Sequence, residues 1–177
     1  MGLNLKSKRV LFIDLDSTLI KTISGKKFPE DISDFRIQLP VLDKIAEHLP
    51  NLKFVFIVTN QGGIGKYFTE CDVETKLVAI TRFVNLYLAD HLENELLIAD
   101  YEYCSSMNKE DIRRKPNVGM LEVLCCKYSL MDGKNDKLMI GDASGKPGDF
   151  SDSDKKCAEN FGIDYIDVRD FLTYDNG

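Results

Sequence analysis

Val10-Leu11-Phe12-Ile13-Asp14-Leu15-Asp16-Ser17-Thr18 is the stretch whose reading decides the architecture of this chain. Its first four residues form a short, uninterrupted apolar run, the pattern of a strand buried on both faces of a parallel sheet. Two carboxylates follow, two positions apart, and on extended chain such residues share a side. Anions held that close repel each other unless a cation or a shared proton is present. The pair therefore points to a divalent metal, to a nucleophile and an acid dividing the work, or to both. Taken alone, the same residues also suit a solvated acidic turn in which Asp16 or Ser17 caps a helix.

Outward from this strand the pattern alternates. A polar segment, residues 21–36, precedes Val41, Leu42, Ile45, Ala46 and Leu49, which recur at helical spacing. Pro40 suits the first turn of that helix, and Pro50-Asn51 ends it. Further strands are expected at 54–58, 96–103, 137–140 and 165–168, and further helices at 72–92, 118–128 and 153–161. Strands alternating with helices predict an α/β fold, a doubly wound parallel sheet with right-handed crossovers. No repeat or linker divides residues 1–177, which predicts one domain.

Composition sets outer bounds. With 177 residues, 44% hydrophobic and 29% charged, the chain is long enough for a substantial core and ordinary for a soluble protein. A net charge of −6 argues against a generic nucleic-acid coat, though not against an enzyme that grips one strand end. No apolar stretch approaches the ~20 residues of a spanning helix, and the first residues lack a signal-peptide core, so no membrane partner is expected. Five scattered cysteines and only two histidines, His48 and His91, offer no zinc constellation. An intracellular, reducing compartment fits that cysteine usage, with Cys125 and Cys126 read as buried or half-buried apolar residues.

Ligands of open parallel sheets bind at the carboxyl ends of the strands. The first expected strand delivers Asp14, Asp16, Ser17 and Thr18 there, and the second Thr59, Asn60, Gln61 and Gly62-Gly63. The third leads through Cys104-Ser105-Ser106 to Arg113-Arg114-Lys115-Pro116. The fourth delivers Gly141-Asp142, Ser144-Gly145-Lys146 and the acidic loop from Asp149 to Asp154. In this order the set resembles the four motifs of the haloacid-dehalogenase-like (HAD-like) phosphohydrolase superfamily. Longer stretches are similar to the 3′-phosphatase domain of polynucleotide kinase 3′-phosphatases. They include Ser24-Gly25-Lys26-Lys27-Phe28-Pro29, Asp34-Phe35-Arg36, Arg114-Lys115-Pro116 with Gly119-Met120, and Gly141-Asp142-Ala143-Ser144-Gly145-Lys146. The similarity runs from about Arg9 to Phe171. Ser17 departs from it where glycine is frequent, and Phe35 where tryptophan is common.

The resemblance implies a HAD-like, Rossmann-type core without a sizeable cap domain. It makes Asp14 the nucleophile of an aspartyl-phosphate route and Asp16 the acid, then base. Thr59, with the amides of Asn60 and Gln61, would bind phosphoryl oxygens, and Lys115 would supply fixed positive charge. Mg²⁺ would be held by the carboxylates of Asp14 and Asp142 and the backbone carbonyl of Asp16. Thr18 is a supporting residue, and Asp154 supports the metal's waters or orients Lys115, with Asp152 the weaker alternative. The implied substrate is a DNA 3′ end, and the implied setting is strand-break repair. Lys21, Lys26, Lys27, Arg36, Lys66, Arg113, Arg114 and Lys146 lie near the expected mouth, and of these Lys26, Arg36, Arg114 and Lys146 are the substrate-binding candidates. GxxxxGK[ST] occurs nowhere, so neither a kinase domain nor a nucleotide cofactor is expected. The alternatives are a small-molecule phosphatase similar to histidinol-phosphate or heptose-bisphosphate phosphatases, or a non-catalytic binder. The single cysteine before Lys115 weighs against the zinc loop of many of the former.

Overall fold

The structure is a computed structural model describing residues 3–26, 29 and 31–175. The apolar run Val10–Ile13 is strand β1, followed by the short strands β2 (Ile20–Lys21) and β3 (Arg36–Ile37) and helix α1 (Leu39–His48). Strand β4 (Phe54–Asn60), helix α2 (Glu70–His91), strand β5 (Ile98–Cys104) and helix α3 (Gly119–Lys127) come next. Strand β6 (Lys137–Gly141), helix α4 (Ser153–Phe161), strand β7 (Asp164–Asp167) and helix α5 (Val168–Leu172) complete the order.

Five strands pair in parallel in the order β5-β4-β1-β6-β7, so β1 lies at the centre. Its register sets Phe12 beside Phe56 on one side and Met139 on the other. Alternate residues then feed two cores. Leu11, Ile13, Val55, Ile57, Leu138 and Ile140 pack under α1, α2 and α5, while Val10, Phe12, Phe56, Val58 and Met139 pack under α3 and α4. The apolar runs are continuous because both faces are covered. This is the expected doubly wound α/β sheet.

Local chemistry places the helix ends. Thr69 and Asp72 form a capping box at the start of α2, two residues earlier than apolar spacing alone suggests. Asp167 accepts from the Arg169 amide and caps α5, so Val168 opens a helix rather than closing the fifth strand. In α3, Cys125 is buried as expected, whereas Cys126 is exposed.

The polar segment holds structure that its composition hides. Strands β2 and β3 pair antiparallel, Ile20 with Ile37 and Lys21 with Arg36. Lys27 and Phe28 lie outside the described residues. Between β4 and α2 runs an irregular loop, residues 61–69, in which Ile64 and Phe68 form a lone bridge. Among the described helices none is long and apolar enough to cross a membrane.

Candidate active site

The carboxyl ends of β1, β4 and β6 and the segment before α3 bring Asp14, Lys115, Asp142 and Asp154 together. Asp14 extends the β1 ladder, its amide donating to the Ile140 carbonyl at 2.9 Å, and its side chain is only 10% exposed. Lys115 Nζ, also buried, donates to Asp14 Oδ1 at 2.6 Å and to the Val58 carbonyl at 2.8 Å, and lies 2.8 Å from Asp154 Oδ1. Asp154, on the first turn of α4, accepts the Ala143 amide through Oδ2 at 3.1 Å. That approach requires a glycine: a Cβ on Gly141 would lie 2.3 Å from Asp154 Oδ2.

Carboxylate oxygens of Asp14, Asp142 and Asp154 lie within 4.8 Å of one another. Burial raises the Asp14 pKa well above the ordinary carboxylate range, and Asp154 and Asp142 add to the rise against the opposing pull of Lys115. Asp142 is pushed up to about 6, first by burial and then by Asp154. Burial alone would lower Lys115, but its two carboxylate partners outweigh that and hold it protonated. Three carboxylates around one ammonium leave a surplus of carboxyl oxygens in a largely buried cluster. An all-oxygen set of this kind suits a hard divalent cation such as Mg²⁺.

Thr59 and Asn60 end β4 on the same side. The Asn60 side chain clasps the backbone of Lys115 from both directions: Nδ2 donates to the Lys115 carbonyl at 3.1 Å, and the Lys115 amide donates to Oδ1 at 3.0 Å. The motif suggests the Gln61 amide as a phosphoryl donor, but that N–H is taken by the Cys104 carbonyl at 2.8 Å. Gln61 contributes its side chain instead, with Nε2 donating to Asp16 Oδ2 at 2.7 Å and to Thr59 Oγ1 at 2.9 Å. Nothing in residue spacing signals that bridge. Thr18 is fully buried, with an unpartnered Oγ1 among the described residues, and its carbonyl accepts from Gln38 Nε2 at 2.6 Å.

Asp16 faces a recess of about 290 Å³ whose wall carries Lys21, Lys26 and Arg36 from the β2–β3 hairpin. Arg114 and Lys146 are placed elsewhere. Arg114 Nη1 donates to the Ser106 carbonyl at 2.6 Å, and Lys146 Nζ pairs with Asp170 at 2.7 Å. Of the acidic loop, Asp149 binds the amides of Ser144 and Lys146 and the Arg169 guanidinium, while Asp152 pairs with Lys156 at the surface. Only Asp154 enters the cluster.

A parallel five-stranded sheet with an aspartate pair at the end of its central strand is the architecture of solved HAD-like phosphatases. The fold matches a solved D,D-heptose 1,7-bisphosphate phosphatase from B. bronchiseptica, determined with magnesium and phosphate, at a TM-score of 0.59 and 16% identity, covering 89% of this chain and 78% of that one. The chain belongs to the polynucleotide kinase 3 phosphatase family, whose profile matches residues 9–171. It is 32% identical to the bifunctional polynucleotide phosphatase/kinase of Schizosaccharomyces pombe over 94% of its own length and 38% of that protein's. A candidate bifunctional polynucleotide phosphatase/kinase of Acanthamoeba polyphaga mimivirus is also 32% identical, over 92% of this chain and 41% of its own length. The chain thus spans about two fifths of these relatives.

Proposed function

We propose that this protein is a Mg²⁺-dependent phosphomonoesterase that removes 3′-phosphate from DNA ends through an aspartyl-phosphate, acting inside the cell in strand-break repair, with residues 1–177 forming one phosphatase domain. The observation that carries the reading is the division of the aspartate pair. Asp14 lies among buried charges, while Asp16, two residues on, borders a recess whose wall carries Lys21, Lys26 and Arg36 against one further acid, Asp34. The phosphoryl group then belongs on the Asp14 side and the leaving nucleoside on the Asp16 side.

In the first step an Asp14 oxygen bonds to phosphorus as the bond from phosphorus to the 3′ oxygen breaks, and Asp16 gives that oxygen its proton. In the second, water attacks phosphorus, Asp16 takes the water's proton, and orthophosphate leaves with Asp14 restored. Lys115, fixed by Asp154, neutralises charge on the transferred oxygens, and the Thr59 hydroxyl donates to one of them. Asp14, Asp142 and the Asp16 carbonyl would hold the metal, which supplies charge neutralisation that lets a carboxylate approach a phosphate dianion. Lys21, Lys26 and Arg36 suit the phosphodiester backbone leading from the reacting end, a contact that carries no base readout. Family membership and relatives described as polynucleotide phosphatase/kinases favour this substrate over a small ester.

Phosphate release from a 3′-phosphorylated oligonucleotide tests the reading, beside a 5′-phosphorylated oligonucleotide and histidinol phosphate, each with Mg²⁺ or chelator. Fast, Mg²⁺-dependent release from the 3′ end alone is expected. Preference for histidinol phosphate would replace the substrate, and no release from any ester would replace the activity.

A further inference from the structure

Gln61 is set at the mouth by its backbone, since its amide is spent on the Cys104 carbonyl at the end of β5. Its carboxamide crosses from the β4 loop to the β1 loop. The amino group carries two hydrogens, and two acceptors lie within reach, Asp16 Oδ2 and Thr59 Oγ1. The amide presents its nitrogen rather than its oxygen to Asp16, so Oδ2 accepts and an acid's proton belongs on the other oxygen.

Two consequences follow from that bridge. With Oδ2 of Asp16 held, its other oxygen is the one left for the recess. Thr59 Oγ1 only accepts from Gln61, so the Thr59 proton is not spent on that contact and remains for an incoming phosphoryl oxygen even when residue 61 is apolar. One side chain thereby ties the acid of the leaving-group side to the hydroxyl of the phosphoryl side. We infer that Gln61 is a positioning residue for Asp16, fixing the carboxyl toward the leaving oxygen through its two-pronged amide. This rests on the reading of Asp16 as the acid given above.

A glutamine that positions the acid affects only esters whose leaving group needs a proton, which a merely structural glutamine does not. A deoxyribose 3′ oxygen departs as a basic alkoxide and needs a proton, whereas p-nitrophenolate departs without one. Because kcat/KM reports the first irreversible step, it isolates phosphoryl transfer from hydrolysis of the intermediate. Gln61→Leu is expected to lower kcat/KM on the 3′-phosphorylated oligonucleotide by about 10- to 100-fold, mostly in kcat, and on p-nitrophenyl phosphate by at most about 3-fold. Gln61→Ala should repeat the pattern. In an Asp16→Ala background, adding Gln61→Leu should cost nothing further on the oligonucleotide.

Equal losses on both esters in both variants, or no loss on either, would overturn the assignment, as would an undiminished Gln61 effect without Asp16. Turnover of the aryl ester reports that each variant is folded with Asp14 competent. Should the wild type ignore 3′ ends, the substrate reading fails on its own, and the same comparison is made with the alkyl phosphate it hydrolyses fastest.

Discussion

Lys115 Nζ lies 2.6 Å from Asp14 Oδ1, both groups buried, across 101 residues of chain. Breaking a buried pair by removing one partner leaves the other uncompensated. Lys115→Met is therefore expected to cost about 3–5 kcal/mol of stability without metal, and to lower kcat by at least ~100-fold. Urea unfolding and phosphate release check the two effects separately. If stability held, Lys115 would not be what keeps Asp14 and Asp154 tolerable inside the protein.

Asp142 gives a pH dependence whose sign can be worked out. Its pKa in the folded protein, about 6, exceeds the ordinary carboxylate value of 3.8. Between those values the folded state binds more protons than the unfolded chain. The contribution is thus fully present below about pH 4 and is lost as pH rises through 6. Asp167 moves the other way, held at about 2 because Arg169 overcomes its burial, so its contribution is lost only below pH 4. Without metal, Tm should fall between pH 5 and 7, and Mg²⁺ should offset that fall. Asp142→Asn is expected to raise metal-free stability at pH 7 by about 1–2 kcal/mol after solvent screening, and to abolish the Mg²⁺-induced rise in Tm. A loss of metal-free stability would contradict the crowding of charge.

Ser17 adopts φ 65°, the left-handed region that disfavours a side chain, at the position where the resembling family often has glycine. Ser17→Gly is expected to stabilise by about 0.5–1 kcal/mol, the relief exceeding the added freedom of the unfolded chain. Thermal or urea unfolding measures it, and a destabilised variant would mean that the hydroxyl supports the turn.

Arg36 and Lys21 stand side by side on the β2–β3 hairpin, facing the recess. Arg36→Ala with Lys21→Ala is expected to raise KM for a 3′-phosphorylated oligonucleotide several-fold. It should also reduce the slope of log kcat/KM against log salt by about 0.7 per lost single-strand phosphate contact. Turnover of an aryl phosphate should not acquire that salt dependence. An unaltered salt slope would put the strand elsewhere on the surface.

The central strands were the most legible part of the fold. Val10–Ile13, Phe54–Val58 and Lys137–Ile140 are covered on both faces, and that condition writes itself as uninterrupted apolar runs. Because ligand-binding loops of open parallel sheets follow such strands, Asp14, Thr59 and Asp142 are legible as neighbours at one end of the sheet. Lys115 and Asp154 follow β5 and β6 only at a distance, about a dozen residues on, so strand position brings them to the same edge while their roles rest on the resemblance. The β2–β3 hairpin escaped because two-residue strands carry no measurable alternation, yet it supplies the cations of the recess. The Gln61 bridge, the occupied Gln61 amide and the space left by Gly141 are contacts between distant segments, which local pattern does not encode.

The position of β1 in the sheet has a consequence for biosynthesis. Its hydrogen-bonding partners begin at Phe54 and Lys137, both later in the chain. As translation proceeds, this oily strand emerges before both partners, gains one neighbour, and keeps its other edge bare until β6 clears the ribosome. Until then it is a template for wrong pairing, and a molecular chaperone has reason to hold it. Ribosome-bound chains stopped before β6 should accordingly be protease-sensitive around Val10–Ile13, and chains stopped after α4 resistant.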